Sequence, residues 1–167
     1  IMAQGAWTEL FASDGHKFDA YIRGPGDRPK GGLVVIQEIF GVNEHIQDVC
    51  EGFAADGFFC VAPQMFDRVE RKVSLGYDAD GIEKGKALKA QIKTEDALLD
   101  LKAALDVAQS AGKVATIGYC WGGFLSMAAA QHLPLAGAVV YYGGGIPSLG
   151  ANPIQCPVLG HFGELDK

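Results

Sequence analysis

Val114-Ala-Thr-Ile-Gly-Tyr-Cys-Trp-Gly-Gly-Phe-Leu-Ser-Met-Ala-Ala-Ala130 decides the fold. Val114 to Ile117 is a short apolar, partly β-branched run, the pattern of a strand buried on both faces. Phe124 to His132 is rich in Ala and helix-forming. Between them, Gly118-Tyr-Cys-Trp-Gly-Gly123 has the spacing Gly-x-nucleophile-x-Gly, with Cys120 where Ser is commoner. A strand that turns sharply into a helix strains the central residue and leaves no room for side chains two positions away, hence the glycines. Such an elbow lifts the Cys120 sulfur above the sheet edge. There the helix N-terminus favours a thiolate, and the Trp121 N–H can donate to a developing oxyanion.

The flanking sequence extends the same pattern. Residues 6–11 and 17–22 alternate apolar and polar around Asp14-Gly15, which predicts a hairpin. Residues 32–37 and 58–62 predict two further buried strands, the second stopped by Pro63. Asn43 is a helix N-cap with apolar spacing after it at Ile46, Val49 and Phe53, and Gly57 closes that helix. Thr94 opens a helix striped by Ala97, Leu98, Leu101, Leu105 and Ala108. Residues 138–142 and 158–162 predict two more strands. Alternating strands and helices with doubly buried strands define an α/β class with a mostly parallel sheet. Residues 64–80 form a long polar loop of the kind that carries function, and Arg68, Arg71 and Lys72 within it are expected to be solvated.

Composition removes whole classes of function. Apolar residues are 49% and charged residues 20% of the 167, with a net charge of −6 and no basic run. An acidic chain is a poor ligand for nucleic acid, which is bound through phosphate neutralisation. No stretch of ~18 apolar residues predicts a membrane span. Cys50, Cys60, Cys120 and Cys156 are too widely spaced for a zinc site or a C-x-x-C, so neither metal nor cofactor is expected, and free thiols point to a reducing cytoplasm. The 23 glycines, about twice the usual share, imply many tight turns.

Two further segments bear on chemistry. Gln37-Glu-Ile-Phe-Gly41 lies at the C-terminal end of the 32–37 strand, where open α/β sheets bind ligands. There Glu38 would face the thiol and Ile39 would offer a second oxyanion N–H. His161-Phe-Gly-Glu-Leu-Asp-Lys167 closes the last strand, and Asp166 falls where an α/β-hydrolase carries its triad acid, with Glu164 as competitor. His161 precedes that acid in the chain, so it reads as core or cleft-lining. His16 and His132 read as surface, and His45 as a residue that could line the cleft.

Gln-Glu-Ile-Phe-Gly-Val-Asn at 37–43, Gly-Tyr-Cys-Trp-Gly-Gly at 118–123 and Gly-Glu-Leu-Asp at 163–166 together resemble the dienelactone hydrolase family. The resemblance covers nearly the whole chain and implies an α/β-hydrolase fold in a cytoplasmic enzyme without cofactor. Such an enzyme opens an enol-lactone or similar small ester, and this chain would be a single domain, 1–167, lacking its C-terminal part. It further implies Cys120 as nucleophile, Asp166 as triad acid, Glu38 in contact with the resting thiol, and Ile39 and Trp121 as oxyanion donors. The triad histidine would follow Lys167, so this chain alone is expected to lack turnover. The region 82–93 holds Lys84, Lys86, Lys89 and Lys93 but no Arg, a departure from the family's arginine grip on a substrate carboxylate. The competing expectations are a binding protein that keeps the fold without turnover, and a redox-sensitive thiol protein.

Overall fold

A computed structural model describes residues 4–166; Lys167, the last residue read above, lies outside them. β1 (Ala6–Phe11) and β2 (Lys17–Arg23) form the predicted hairpin. They are followed by β3 (Gly31–Ile36), α1 (Glu44–Ala55), β4 (Phe58–Pro63), α2 (Ala79–Ala90) and α3 (Thr94–Ala108). β5 (Val114–Tyr119), α4 (Trp121–His132), β6 (Gly137–Tyr141) and β7 (Val158–His161) complete the order. The seven strands make one sheet in the order β1-β2-β4-β3-β5-β6-β7. β1 and β2 are antiparallel to their neighbours and the remaining pairs are parallel.

Side-chain alternation along β3 builds both layers of core. Val34 and Ile36 face α3 and α4, against Leu101, Leu105 and Leu125. Leu33 and Val35 face α1, against Ile46 and Cys50. All six β3 residues are buried, which is why the strand reads as an unbroken apolar run. The chain passes from β3 to β4 on one side and returns to β5 on the other, so the connections diverge at β3. Open α/β sheets bind ligands at such a point, and it brings the ends of β3 and β5 together.

Local signals account for most element ends. The Asn43 side chain caps α1 by accepting from the Ile46 N–H at 3.1 Å. Asp78 caps α2 in the same way through the Gly81 N–H at 2.9 Å. Thr94 is the first residue of α3 and not its cap; Lys93 stands at that position without a side-chain bond, while Glu95 and Asp96 complement the helix dipole.

Residues 64–80 differ from the solvated loop that their polarity suggests. A short 3-10 turn at Met65–Arg68 buries Met65, Phe66 and Asp67, and α2 starts at Ala79. Arg68 is not solvated either. Its guanidinium grips the fully buried Asp100 carboxylate with two bonds, at 3.0 and 2.8 Å, and reaches Asp14 in the hairpin turn at 2.8 Å. Polarity here reflects an internal ion pair, which composition cannot distinguish from surface charge.

Candidate active site

The elbow forms as its spacing requires. Cys120 is the residue immediately before α4, with φ 56° and ψ −117°, a conformation that non-glycine residues rarely adopt. A Cβ on Gly118 would lie 1.8 Å from the Gly122 carbonyl oxygen. One on Gly122 would lie 2.3 Å from the Ile36 oxygen and 2.5 Å from that of Gln37. The glycines therefore close the turn on itself and press it against the end of β3. Cys120 N–H donates to the Tyr141 oxygen at 3.0 Å, which fixes the elbow to β6 as well. Trp121, as the first helical residue, has an N–H without an intrahelical acceptor, and its ring stacks on Phe66 at 5.5 Å.

Side chains fix the loop after β3. The fully buried Gln37 amide donates to the Glu38 main-chain carbonyl oxygen and accepts from the Met65 N–H, both at 3.0 Å. Gln64 Oε1 accepts from the Val42 N–H at 3.2 Å, and the Phe40 oxygen accepts from the Leu75 N–H at 2.9 Å. Gly41 takes φ 84°, and a Cβ there would meet the Val73 oxygen at 2.1 Å. The Ile39 N–H lies outside any strand and donates to no group among the described residues.

The structure puts Glu38 at this edge but gives its oxygens to phenols and not to the thiol. Tyr77 Oη donates to Oε1 at 2.9 Å and Tyr142 Oη to Oε2 at 3.3 Å. Among the described residues the Cys120 thiol makes no hydrogen bond. A phenol is the stronger donor, so two of them outcompete a weak S–H. Asn43 Nδ2 in turn donates to the Tyr77 oxygen at 3.1 Å. Burial, followed by the nearby Glu38 charge, pushes the Tyr142 phenol above its ordinary range. Burial likewise raises Tyr77, opposed by the Asn43 bond and reinforced by Glu38. Both therefore remain donors at neutral pH. A cleft of about 490 Å³, lined by Asn43, His45, Leu75 and Tyr77 among others, opens beside this cluster.

The remaining candidates are less closely gathered. Asp166 sits in the exposed turn after β7, where its N–H bonds the Gly163 oxygen at 3.1 Å; its carboxylate pairs with no described group. His161 lies on β7, exposed among the described residues, and its ring stacks on Tyr141 at 4.6 Å. His45 is exposed and meets Tyr119 edge-on at 6.5 Å. Lys84 is spent on Glu70 at 2.9 Å, and Lys86, Lys89 and Lys93 are exposed. Sequence reasoning missed Tyr77 and Tyr142. Tyr142 follows β6 directly, at the sheet edge where ligands bind, so position alone marked it. Tyr77 lay in the 64–80 segment already singled out for its length.

A nucleophile-type elbow at the point where a mostly parallel sheet changes direction is the architecture of an α/β-hydrolase. The chain belongs to the dienelactone hydrolase family, which residues 18–167 match. A Synechocystis protein named "Putative carboxymethylenebutenolidase" is 36% identical over 131 residues, covering 75% of this chain and 53% of that protein. The carboxymethylenebutenolidase of Pseudomonas putida is 33% identical over 160 residues, covering 92% and 68%. The crystal structure of a dienelactone hydrolase from Anabaena variabilis superposes with a TM-score of 0.73 over 98% of this chain and 74% of that one; at 15% identity it speaks for the fold alone. The chain spans between about half and three-quarters of the length of the curated relatives it matches.

Proposed function

We propose that this chain is the nucleophile-bearing part of a carboxylic ester or lactone hydrolase whose substrate is an enol-lactone or similar small ester. The observation that carries this reading is the elbow. Cys120 is held at φ 56° on a helix N-terminus and pressed against the end of β3 by glycines that tolerate no side chain. Holding a non-glycine residue in that conformation costs folding energy. Membership of the family and the names of its relatives support the reaction class.

In this reading the Cys120 thiolate attacks the ester carbonyl and the Ile39 and Trp121 N–H groups hold the oxyanion, each worth about 3–4 kcal/mol in comparable sites. Glu38 takes the thiol proton once bound substrate draws it off its two phenols. The step ends in an acyl-enzyme with the ring opened. Asp166 is the triad acid and would orient a histidine supplied from outside residues 1–167. The free thiols fit a reducing, cytoplasmic setting.

The test uses the full-length parent with an enol-lactone and an activated ester. Cys120→Ala should lower kcat by about a thousandfold or more, and Cys120→Ser should retain a fraction of turnover. Undiminished turnover in the alanine variant would sink the reading. No turnover of either substrate by the wild-type parent would leave a binding protein on the same fold, or a peroxide-reactive thiol.

A further inference from the structure

Of the residues of α2, Gly81, Gly85 and Leu88 are buried. Glycine weakens a helix interior, so each of the two glycines needs a reason. That of Gly81 is local: a Cβ there would press on the Gly76 oxygen, in the turn that Asp78 caps. That of Gly85 lies far off in the chain. A Cβ there would fall inside the contact distance of the Ile39 carbonyl oxygen, and 3.1 Å from the Ile39 carbonyl carbon and Cβ. The geometry points to Gly85 as a positioning residue for the reaction. It seats α2 against the Ile39 carbonyl and so fixes the direction of the Ile39 N–H, the oxyanion donor; the inference rests on the hydrolase reading above.

Two peptides set where that N–H points. In the Glu38–Ile39 peptide the carbonyl accepts from the buried Gln37 amide at 3.0 Å. That bond leaves the N–H on the opposite side and polarises it as a donor. In the Ile39–Phe40 peptide the carbonyl accepts from no group among the described residues, and Gly85 lies against it. The hydrogen that takes the Cβ place on Gly85 points at this oxygen, as in the Cα–H···O contacts of closely packed helices. The next carbonyl, of Phe40, accepts from the Leu75 N–H at 2.9 Å. Hydrogen bonds therefore hold the loop before and after Ile39, and α2 holds it at Ile39 itself. Leu88, one turn beyond Gly85 and 5% exposed, packs in the same core as Ile39 and Phe40 and keeps the helix down. A side chain at position 85 has main chain in its way, so the Ile39 peptide must turn or α2 must lift.

The test uses the full-length parent and its variants with an enol-lactone and an activated ester, well below their melting temperatures. Gly85→Ala should lower kcat by about tenfold or more and leave KM within about twofold of wild type, since an oxyanion donor acts in the transition state. Inhibition by a trifluoromethyl ketone should weaken by the same factor, because its adduct with the Cys120 thiolate carries the same oxyanion. Gly52→Ala adds the same methyl group to α1, where a Cβ meets nothing within 4 Å, and should match wild type in both constants. Leu88→Ala removes the apolar anchor of α2 without adding an atom at Ile39. It should lower kcat about threefold at unchanged KM, and it decides the matter if Gly85→Ala does not fold. A merely structural glycine would lower the melting temperature of Gly85→Ala and leave kcat, KM and inhibition as in wild type. That result overturns the inference, as does an unchanged kcat in Leu88→Ala where Gly85→Ala does not fold. Both outcomes leave the hydrolase reading intact, whereas absence of turnover by wild type overturns that reading and this inference with it.

Discussion

The two halves of the candidate site share one sheet edge and are held there by different forces. The elbow is fixed by backbone pressed on backbone: Gly118 against the Gly122 oxygen, Gly122 against the oxygens of Ile36 and Gln37. The Glu38 carboxylate is held by hydrogen bonds from two phenols, one from the segment before α2 and one from the residue after β6. Contacts of the first kind have no soft direction, because no side chain can rotate to relieve them. Contacts of the second kind can be exchanged for a substrate's own groups at about 1 kcal/mol each. In the proposed mechanism the nucleophile would stay in place and the proton acceptor would move, and the two modes of attachment fit that division.

The largest effect should come from breaking the rigid half. Gly118→Ala or Gly122→Ala puts a methyl group inside a carbonyl oxygen's contact distance, with only main chain to yield. We expect a loss of more than about 4 kcal/mol, at the exceptional end of the mutational range, read by urea denaturation. An ordinary loss near 1 kcal/mol would mean the elbow is soft, and the contrast with Glu38 would fail.

Next comes the buried ion pair below the 64–78 segment. Arg68→Met leaves the Asp100 carboxylate, fully buried, without its partner, which should cost about 3 kcal/mol or more at pH 8. Burial pushes Asp100 up to about 6, even against the lowering effect of Arg68. A carboxyl raised in the folded state contributes stability that is present below its unfolded value near 3.8 and is lost as pH rises through 6. The penalty of Arg68→Met should therefore shrink at pH 5, where Asp100 takes up a proton, and grow towards pH 8. Parallel denaturation curves at the two pH values measure this, and a penalty equal at both would show that Asp100 does not titrate in that window.

How much of this was legible in the residues follows the same division. The elbow rests on sterics between positions two and four apart, so the spacing of Gly118, Cys120 and Gly122 carried it. The strands were readable because β3 is buried on both faces, and α1 because Asn43 caps its own helix. Tyr77 and Tyr142 reach Glu38 across separations of 39 and 104 residues, and no local pattern encodes such a meeting. Arg68 looked like a loop charge because its partner lies 32 residues away on α3.

The smallest effects belong to the exchangeable half, and they separate its two phenols. Tyr77→Phe loses a 2.9 Å bond to Glu38 and the Asn43 bond behind it, which should cost about 1 kcal/mol. Tyr142→Phe loses a single 3.3 Å bond from a residue 40% exposed, and the change should stay within about 0.5 kcal/mol. Tyr142 also pays for its backbone, at φ 38°. Tyr142→Gly removes the same phenol and relieves that conformation, so it should be more stable than Tyr142→Phe by roughly 1 kcal/mol. Thermal melts of the three variants order them. If Tyr142→Gly melts below Tyr142→Phe, the ring is held by packing and not by its bond to Glu38, and the carboxylate is less free to move than its partners suggest.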